Sequence, residues 1–521
     1  MHTSQLAPIP PLTAERAARF DALQQKLAPL WRLIGRTDPG GEVQDANTLV
    51  VVPSLTAEFE MPGAFHQIYE ERFLFMTFLL RQPNLRLIYL TSQAIDPLVL
   101  DYYLHNLPDV TVSNARKRLF PLAPQDGSGK ALVVKVLERP WFVRRIRELI
   151  PNPDRAHVVP FVTTDLEREL ALQLDIPMYA ADPRYFALGS KSGARRLFAE
   201  EGLPHPLGVE DIADEAGFVS AIAAMRAQRP GLRRVITKLN QGVSGMGNAV
   251  VDLQGLPAPG DAAEAEDITA RLRAMRFELP DLGYDDYLRG VAAQGAIVEE
   301  MIEGEVKQSP SVQMRISPLG QVEILSTHDQ MLGGPSGQSY LGAIFPADPA
   351  YSGLITREAA KIGQRFVREG IVGRFALDFL TVQQPDGGWE PYAIEVNLRK
   401  GGTTHPFLTL QYLTDGLYDP QTGQFTTEQG ERRCYVASDH VESPAYRIFT
   451  ADDLLDLISV HRLTFDQTCQ TGVVLHMFSG VGQLGRLGVT CIHGTPERAR
   501  GLYEDFVRLL DEEAARRLAV A

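Results

Sequence analysis

Two short runs near residue 380 constrain this chain more than any other feature. Phe375-Ala376-Leu377-Asp378-Phe379-Leu380-Thr381-Val382 is an apolar, strand-like run interrupted by one acid, and Tyr392-Ala393-Ile394-Glu395-Val396-Asn397-Leu398 is another. Between them Pro385-Asp386-Gly387-Gly388 signals a turn, so the runs are expected to pair as an antiparallel hairpin. Counting outward from the turn sets Asp378 opposite Glu395, with the register open by a residue or two. Side chains alternate faces along a strand, so Glu395, Asn397 and, in this register, Asp378 share one surface. Two carboxylates about 5 Å apart at Cβ repel unless a cation lies between them or one takes a proton. Magnesium answers that conflict, because it takes one or two carboxylates and completes its shell with water and phosphate oxygens. The competing reading is a pair of isolated acids on a solvated face, against which the bulky apolar neighbours speak.

The rest of the chain offers ample material for such a site. Its 521 residues, 44% hydrophobic and 22% charged, can bury a large core and are expected to divide into three or four domains. A net charge of -14 argues against a broad nucleic-acid or anionic-membrane footprint and favours small-molecule partners. Cys434, Cys469 and Cys491 are too scattered for a zinc site or a disulfide framework. Met1 to Leu12 lacks the pattern of a signal peptide, and no apolar stretch approaches the roughly 20 residues of a membrane span. The expectation is a cytoplasmic protein, with the oligomeric state open and a homodimer allowed.

Along the chain, Leu49 to Val52, Leu87 to Leu90, Ala131 to Val136 and Val158 to Val162 are short apolar runs alternating with helix-like stretches such as Phe65 to Leu80 and Pro140 to Ile150. That pattern predicts an open α/β sheet domain over 1–188. A helix capped by Ser190 or Ser192 and stopped at Gly202 begins the next unit, 189–295, and carries Lys191 at its start. Strands and hairpins dominate 296–411, with a helix over Thr356 to Arg368, and a mixed region, 412–521, ends in a helix from Pro496 to Leu518. Gly255 to Glu266 reads as a solvated insertion.

Between the strand-like runs Arg234 to Leu239 and Ala249 to Leu253 lies Asn240-Gln241-Gly242-Val243-Ser244-Gly245-Met246-Gly247-Asn248. Its backbone N–H groups can close over phosphates. A dinucleotide fingerprint would open a helix here, and no P-loop sequence occurs, so both readings are disfavoured. What remains is a flexible hairpin lid with Lys238 on its entering strand, or else an ordinary glycine-rich hairpin. Ala296 to Glu305 is an apolar strand running into an acidic linker; it suits an adenine amino group and ribose hydroxyls, and equally a surface strand end. Arg399-Lys400-Gly401-Gly402-Thr403-Thr404-His405-Pro406 follows the second acidic strand directly. Arg399 there suits bidentate contact with a phosphoryl group or carboxylate, and His405 is either a base or an uncommitted loop histidine. Arg315, Lys307 and His328, with Gly333 to Gly342, are candidates for a substrate pocket or plain surface-strand residues.

Taken in order, Lys191, Lys238 with its glycine loop, Glu299 to Glu305, Asp378 and Glu395-x-Asn397-x-Arg399 resemble the ATP-grasp superfamily over roughly Gly189 to Leu410. More narrowly, Glu395 to Pro406 and the terminal Thr471 to Phe478 and Gly485 to Thr490 resemble the pheganomycin-type peptide ligases and related carboxylate–amine ligases. The resemblance implies a multidomain α/β and α+β protein: an ATP-grasp fold, with its lid in 189–295 and metal-bearing core in 296–411, behind an N-terminal pre-ATP-grasp α/β domain and before a C-terminal domain. It implies ATP and Mg2+ as cofactors. Lys191, Lys238, Gly242, Ser244, Gly245 and Gly247 would serve the phosphates, and Glu299, Glu300, Ile302 and Glu305 adenosine. Asp378, Glu395 and Asn397 would hold the metal, and Lys238 and Arg399 would be catalytic. The implied activity joins an acid to an amine, both small molecules such as amino acids or peptides, through an acyl phosphate, releasing ADP and phosphate. A small-molecule kinase and a non-catalytic nucleotide-binding regulator are the alternatives.

Overall fold

Continuous apolar runs make a sheet covered on both faces, and that is how the chain begins. The computed structural model describes residues 9–33, 46–56, 62–242, 245, 247–279, 281–334, 337 and 339–519. In it β1 (Asn47–Val52), β2 (Leu85–Leu90), β3 (Leu119–Leu122) and β4 (Ala156–Pro160) are parallel in the order β3-β2-β1-β4. Leu49, Leu87 and Val159 pack into one apolar cluster and Val50, Ile88 and Val158 into another, which removes any polar alternation. The run Ala131 to Val136, expected among the strands, is instead the helix Leu132–Leu137. A run buried all round has no period that separates strand from helix. Phe65 to Leu80 is helical as read, but changes from the α-helix Gly63–Glu71 to a 3-10 helix, Arg72–Arg81.

The second sheet joins β5 (Gly208–Ile212), β6 (Arg234–Leu239), β7 (Asn248–Asp252), β8 (Arg276–Phe277) and β9 (Ala296–Glu300) in the order β5-β9-β6-β7-β8. Val235, Val251 and Val298 pack with Phe218, Ile222, Ile268, Leu272, Tyr287 and Val291 from three helices. Alternation therefore turns Ile236, Lys238, Ile297 and Glu299 to the opposite face, where they too are buried. One of those helices, Glu264–Arg273, begins where a solvated insertion was expected to end.

The third sheet contains β10 (Lys307–Gln308), β11 (Pro310–Ile316), β12 (Val322–Gly333), β13 (Ser339–Phe345), β14 (Gly373–Gln383) and β15 (Trp389–Asn397). A small hairpin, β16 (Leu417–Asp419) and β17 (Gln424–Thr426), stands apart. β18 (Cys434–Glu442), β19 (Gly472–His476) and β20 (Arg486–His493) continue the third sheet through β13, giving the order β10-β14-β11-β12-β13-β18-β20-β19 with β15 on β14. On one face Val312, Met314, Phe375 and Leu377 pack against Ile355, Ala359, Ile362 and Phe366 of the helix Pro349–Arg368. That helix starts seven residues earlier than its apolar period suggests, because Asp348 caps it and Pro349 occupies its first turn. The other face of β14, with Arg374, Ala376 and Asp378, looks toward the carboxyl ends of the parallel sheet, where Lys400 Nζ donates to Pro160 O at 2.5 Å. Among the described residues no helix is long and apolar enough to cross a membrane.

Candidate active site

β14 and β15 pair antiparallel with Asp378 directly opposite Glu395, as expected, and Ala376 opposite Asn397; next to the turn, however, Gln383 faces Trp389, one residue off the count from the turn, and a bulge between Asp378 and Phe379 restores the expected pairing. Ser311 on β11 lies opposite Asp378 from the other side, and its hydroxyl bonds to the carboxylate. Asn397 Nδ2 donates to Asp378 Oδ2 at 2.9 Å. Burial, and then the charge of Glu395, push the Asp378 carboxyl up. Burial acts the same way on Glu395, but Lys191 outweighs it, with Arg399 and Lys238 adding to the effect, and holds Glu395 below its usual range. Two acids thus share one face, one pushed up to about 6 and the other held down by its cationic neighbours. Among the described residues there is no cluster of three or more His, Cys, Asp or Glu side chains suited to an all-protein cage. Two carboxylates and an amide oxygen instead fit magnesium, which keeps places for water and phosphate.

The helix Lys191–Glu200 brings its lysine to this pair. Ser190 caps it by accepting from Gly193 N at 3.0 Å, and Asn240, at the end of β6, accepts from Lys191 N at 3.2 Å and from Ser192 N at 3.0 Å. Those bonds lock the helix start to the entrance of the glycine loop. Lys191 Nζ then meets Glu395 Oε1 at 2.5 Å. On the second sheet Lys238 is ion-paired with Glu299, whose other oxygen receives Arg195 Nη1 at 3.1 Å. Lys191, Lys238, Asp378, Glu395 and Glu299 therefore converge from two sheets and one helix.

The glycine loop is held at its base. Gln241 N donates to Gln294 Oε1 at 2.8 Å, and Leu239 N to Gly247 O at 3.1 Å. Gly245 and Gly247 have φ of 80° and 91°, conformations that favour glycine. Gly242 lies between; Ser244 falls outside the described residues. Beyond β9 the acids separate. Glu300 turns away from Glu299 and is occupied by Leu207 N, at 2.8 Å, and by Arg229. Ile302 is half-buried and Glu305 is exposed.

Arg399 is half-buried, donates to Lys400 O at 3.1 Å, and lies in the field of Glu395, Arg72 and Asp378. His405 is not in a loop: it sits in the first turn of the helix Thr404–Thr414, 2% exposed, with Nε2 3.0 Å from Asp439 Oδ1. Arg72 Nη1 donates to Asp439 Oδ2 at 2.9 Å while its guanidinium lies over Tyr69 and Phe161. Burial opposes the Asp439 charge, but His405 and Arg72 together hold its carboxyl far below the usual range. The terminal motif supports this network. His476 is held by Tyr103 at 3.0 Å and Thr490 at 2.8 Å, and any side chain at Gly488 would press on His476, Met477 and Asp439. Of the pocket candidates, His328 is buried against Tyr435, its ring nitrogen 2.6 Å from the hydroxyl, and Lys307 is exposed.

Comparison with known proteins agrees with this geometry. A family model described as IQCH-like, ATP-grasp matches residues 185–274 and 280–421. The chain is 28% identical over 429 residues to the L-propargylglycine–L-glutamate ligase of Streptantibioticus cattleyicolor, covering 81% of this chain and 85% of that protein. It is 25% identical over 364 residues to IQ motif-containing protein H of Danio rerio, covering 61% of this chain but only 34% of that longer protein. The ADP complex of an N5-carboxyaminoimidazole ribonucleotide synthetase superposes with a TM-score of 0.51 at 13% identity, over 90% of this chain and 97% of that one. The biotin carboxylase domain of the Hydrogenobacter thermophilus 2-oxoglutarate carboxylase gives 0.51 at 11% identity, over 88% and 89%. Residues 185–274 and 280–421 thus match an ATP-grasp family model, and the chain shares the fold of these solved structures.

Proposed function

We propose that the protein is an ATP-dependent, magnesium-requiring ligase that joins the carboxylate of one small molecule to the amine of another, with amino acids or short peptides as substrates. The observation that carries this is the convergence of Lys191 and Lys238 on the opposed pair Asp378 and Glu395. The relative whose name joins two amino acids supports the substrate class. The ligand complexes of structural neighbours, one with ADP and one with ADP, its magnesium salt and bicarbonate, support the cofactors.

In this reading Asp378, Glu395 and Asn397 would hold the metal, which would supply charge to neutralise the ATP phosphates. Lys191 and Lys238 leave their carboxylate partners for ATP phosphates, and the backbone of Gly242, Ser244, Gly245 and Gly247 closes over them. Glu299 and the strand leading to Ile302 and Glu305 receive adenosine; Glu300 contributes main chain only, since its carboxylate is engaged by Leu207 and Arg229. A substrate carboxylate oxygen attacks the γ-phosphorus, the bond to the bridging oxygen breaks, and ADP leaves. The amine nitrogen then attacks the acyl carbon, phosphate departs with the acyl oxygen, and the amine gives up a proton. Arg399 offsets the charge that grows on the acyl phosphate. The units 1–188, 189–295, 296–411 and 412–521 are proposed as domains, with the lid moving over a cytoplasmic enzyme's cleft.

The test is ADP release with ATP, magnesium and pairs of amino acids, followed by product masses. Release that requires both an acid and an amine, with an amide product, supports ligation. A phosphorylated product made without any amine would point to a kinase, and measurable ATP binding without turnover on any pair would point to a binding protein.

A further inference from the structure

Four residues along the site face of β14 from Asp378, a second arginine stands where no acid waits for it. Strands rise roughly 3.3 Å per residue, so Arg374 begins about 13 Å from Asp378 on the same face, with only the small Ala376 between them. On β11 the opposed positions are Ser311, Gln313 and Arg315, so Arg315 and Arg374 face each other directly. Like charges placed opposite each other on a sheet repel. Lys400 lies nearby with its Nζ donating to Pro160 O, and burial followed by the charge of Arg374 lowers its pKa to about 7, a mark of how positive this place is. The acid near this group is Glu323, which is ion-paired with Arg315 and acts on Arg374 only through its field. The Arg374 side chain makes no hydrogen bond or ion pair with any described residue, and Arg315 Nε is buried without a partner. Walls of low polarity close the place: Arg315 lies 5.5 Å from the Trp31 ring, which packs 4.8 Å from Tyr179. In a chain of net charge -14, this concentration of uncompensated positive charge is costly unless an anion completes it.

We propose that Arg374, with Arg315 and Lys400, binds a second carboxylate of the acid substrate, so that the activated acid is a dicarboxylic amino acid or a peptide carrying a distal carboxylate. This rests on the ligase reading for the fate of the first carboxylate, which lies at Asp378 and Glu395. Arginine reaches several ångströms from the strand, so the separation of Arg374 from Asp378 along β14 suits a short carbon chain between the two carboxylates. Two facing guanidinium groups suit bidentate recognition of the distal one.

The experiment is calorimetric titration of the full chain, with magnesium and a non-hydrolysable ATP analogue present, using L-glutamate, L-aspartate and L-glutamine as probes. The expected result is that wild type binds one of the two dicarboxylates about tenfold or more tightly than L-glutamine. Arg374→Gln is expected to erase that preference while leaving affinity for the ATP analogue unchanged, and Arg374→Lys to keep part of it. No preference for either dicarboxylate in wild type would overturn the proposal, as would a preference that survives in folded Arg374→Gln. If a dicarboxylate binds through Arg374 yet no amide ever forms with any amine, the ligase reading falls and the subsite stands.

Discussion

Replacing Asp439 by Asn keeps the shape of the buried network and removes its only acid, so its cost follows from what is left behind. Arg72 is 5% exposed and His405 2% exposed, and both lean on this carboxylate. Stranding one buried partner of an ion pair costs about 3–5 kcal/mol. Arg72 keeps its contacts with Tyr69 and Phe161, 4.6 and 5.0 Å from the ring centres, and these, being the same before and after, offset nothing. The expectation is therefore a loss of about 3–5 kcal/mol, which for a large cooperative unit lowers Tm by roughly 6–10 °C. Arg72→Met in the Asp439→Asn background removes the stranded charge, so the double variant is expected to recover part of the loss. Scanning calorimetry and urea unfolding of wild type, both single variants and the double variant measure the coupling, expected to be about 1–3 kcal/mol. Coupling below about 0.5 kcal/mol, or a single variant as stable as wild type, would refute the claim that this pair ties the parallel sheet to the last strands.

Four further outcomes are expected. Glu395→Gln should remain folded and lose ADP release by about a hundredfold or more, since one of the two carboxylates proposed to hold the metal is gone; steady-state assays and circular dichroism check both halves. Lys238→Ala should weaken ATP binding about tenfold in calorimetry, while Arg195 continues to satisfy Glu299. Gly488→Ala should destabilise the chain by about 1–3 kcal/mol, because the added methyl group meets His476 Cβ and Met477 Sδ at 3.1 Å and Asp439 Oδ1 at 3.2 Å. Burial lowers His328 to about 3, and burial followed by Lys400 lowers His157 to about 4. The unfolded chain therefore binds protons that the folded chain refuses, and stability contributed by the neutral rings is present above about pH 6.5 and falls as pH drops from there toward 4. The slope is about 1.4 kcal/mol per pH unit for each ring, and His328→Phe should remove one such share from the urea-unfolding profile.

The carboxylate pair was legible because everything that places it is local. Asp378 and Glu395 lie on one hairpin, where the turn is one residue off the simple count and a bulge beside Asp378 offsets it, and the Ser190 cap places Lys191 by a similarly short-range rule. The ATP-grasp resemblance likewise holds, because it rests on an ordered set of such local signals. What stayed hidden is assembled from distant segments. Arg72 and Asp439 are 367 residues apart, and neither stands in a run that differs from an ordinary amphipathic element. Asn240 looks like one more loop residue until its carbonyl and side chain are seen capping the helix that bears Lys191. The terminal glycine motif had no chemistry of its own to read, since Gly488 acts by what it leaves room for. Glu300, one residue from Glu299, was grouped with it by sequence and is separated from it by strand alternation.

The most direct test of the proposed chemistry follows the oxygen atoms. With the acid substrate labelled with heavy oxygen in its carboxylate, turnover with ATP and an amine is expected to deliver one labelled oxygen into inorganic phosphate, the other staying in the amide. Label appearing in AMP, or amide formed with no label in phosphate, would contradict an acyl-phosphate intermediate at this site.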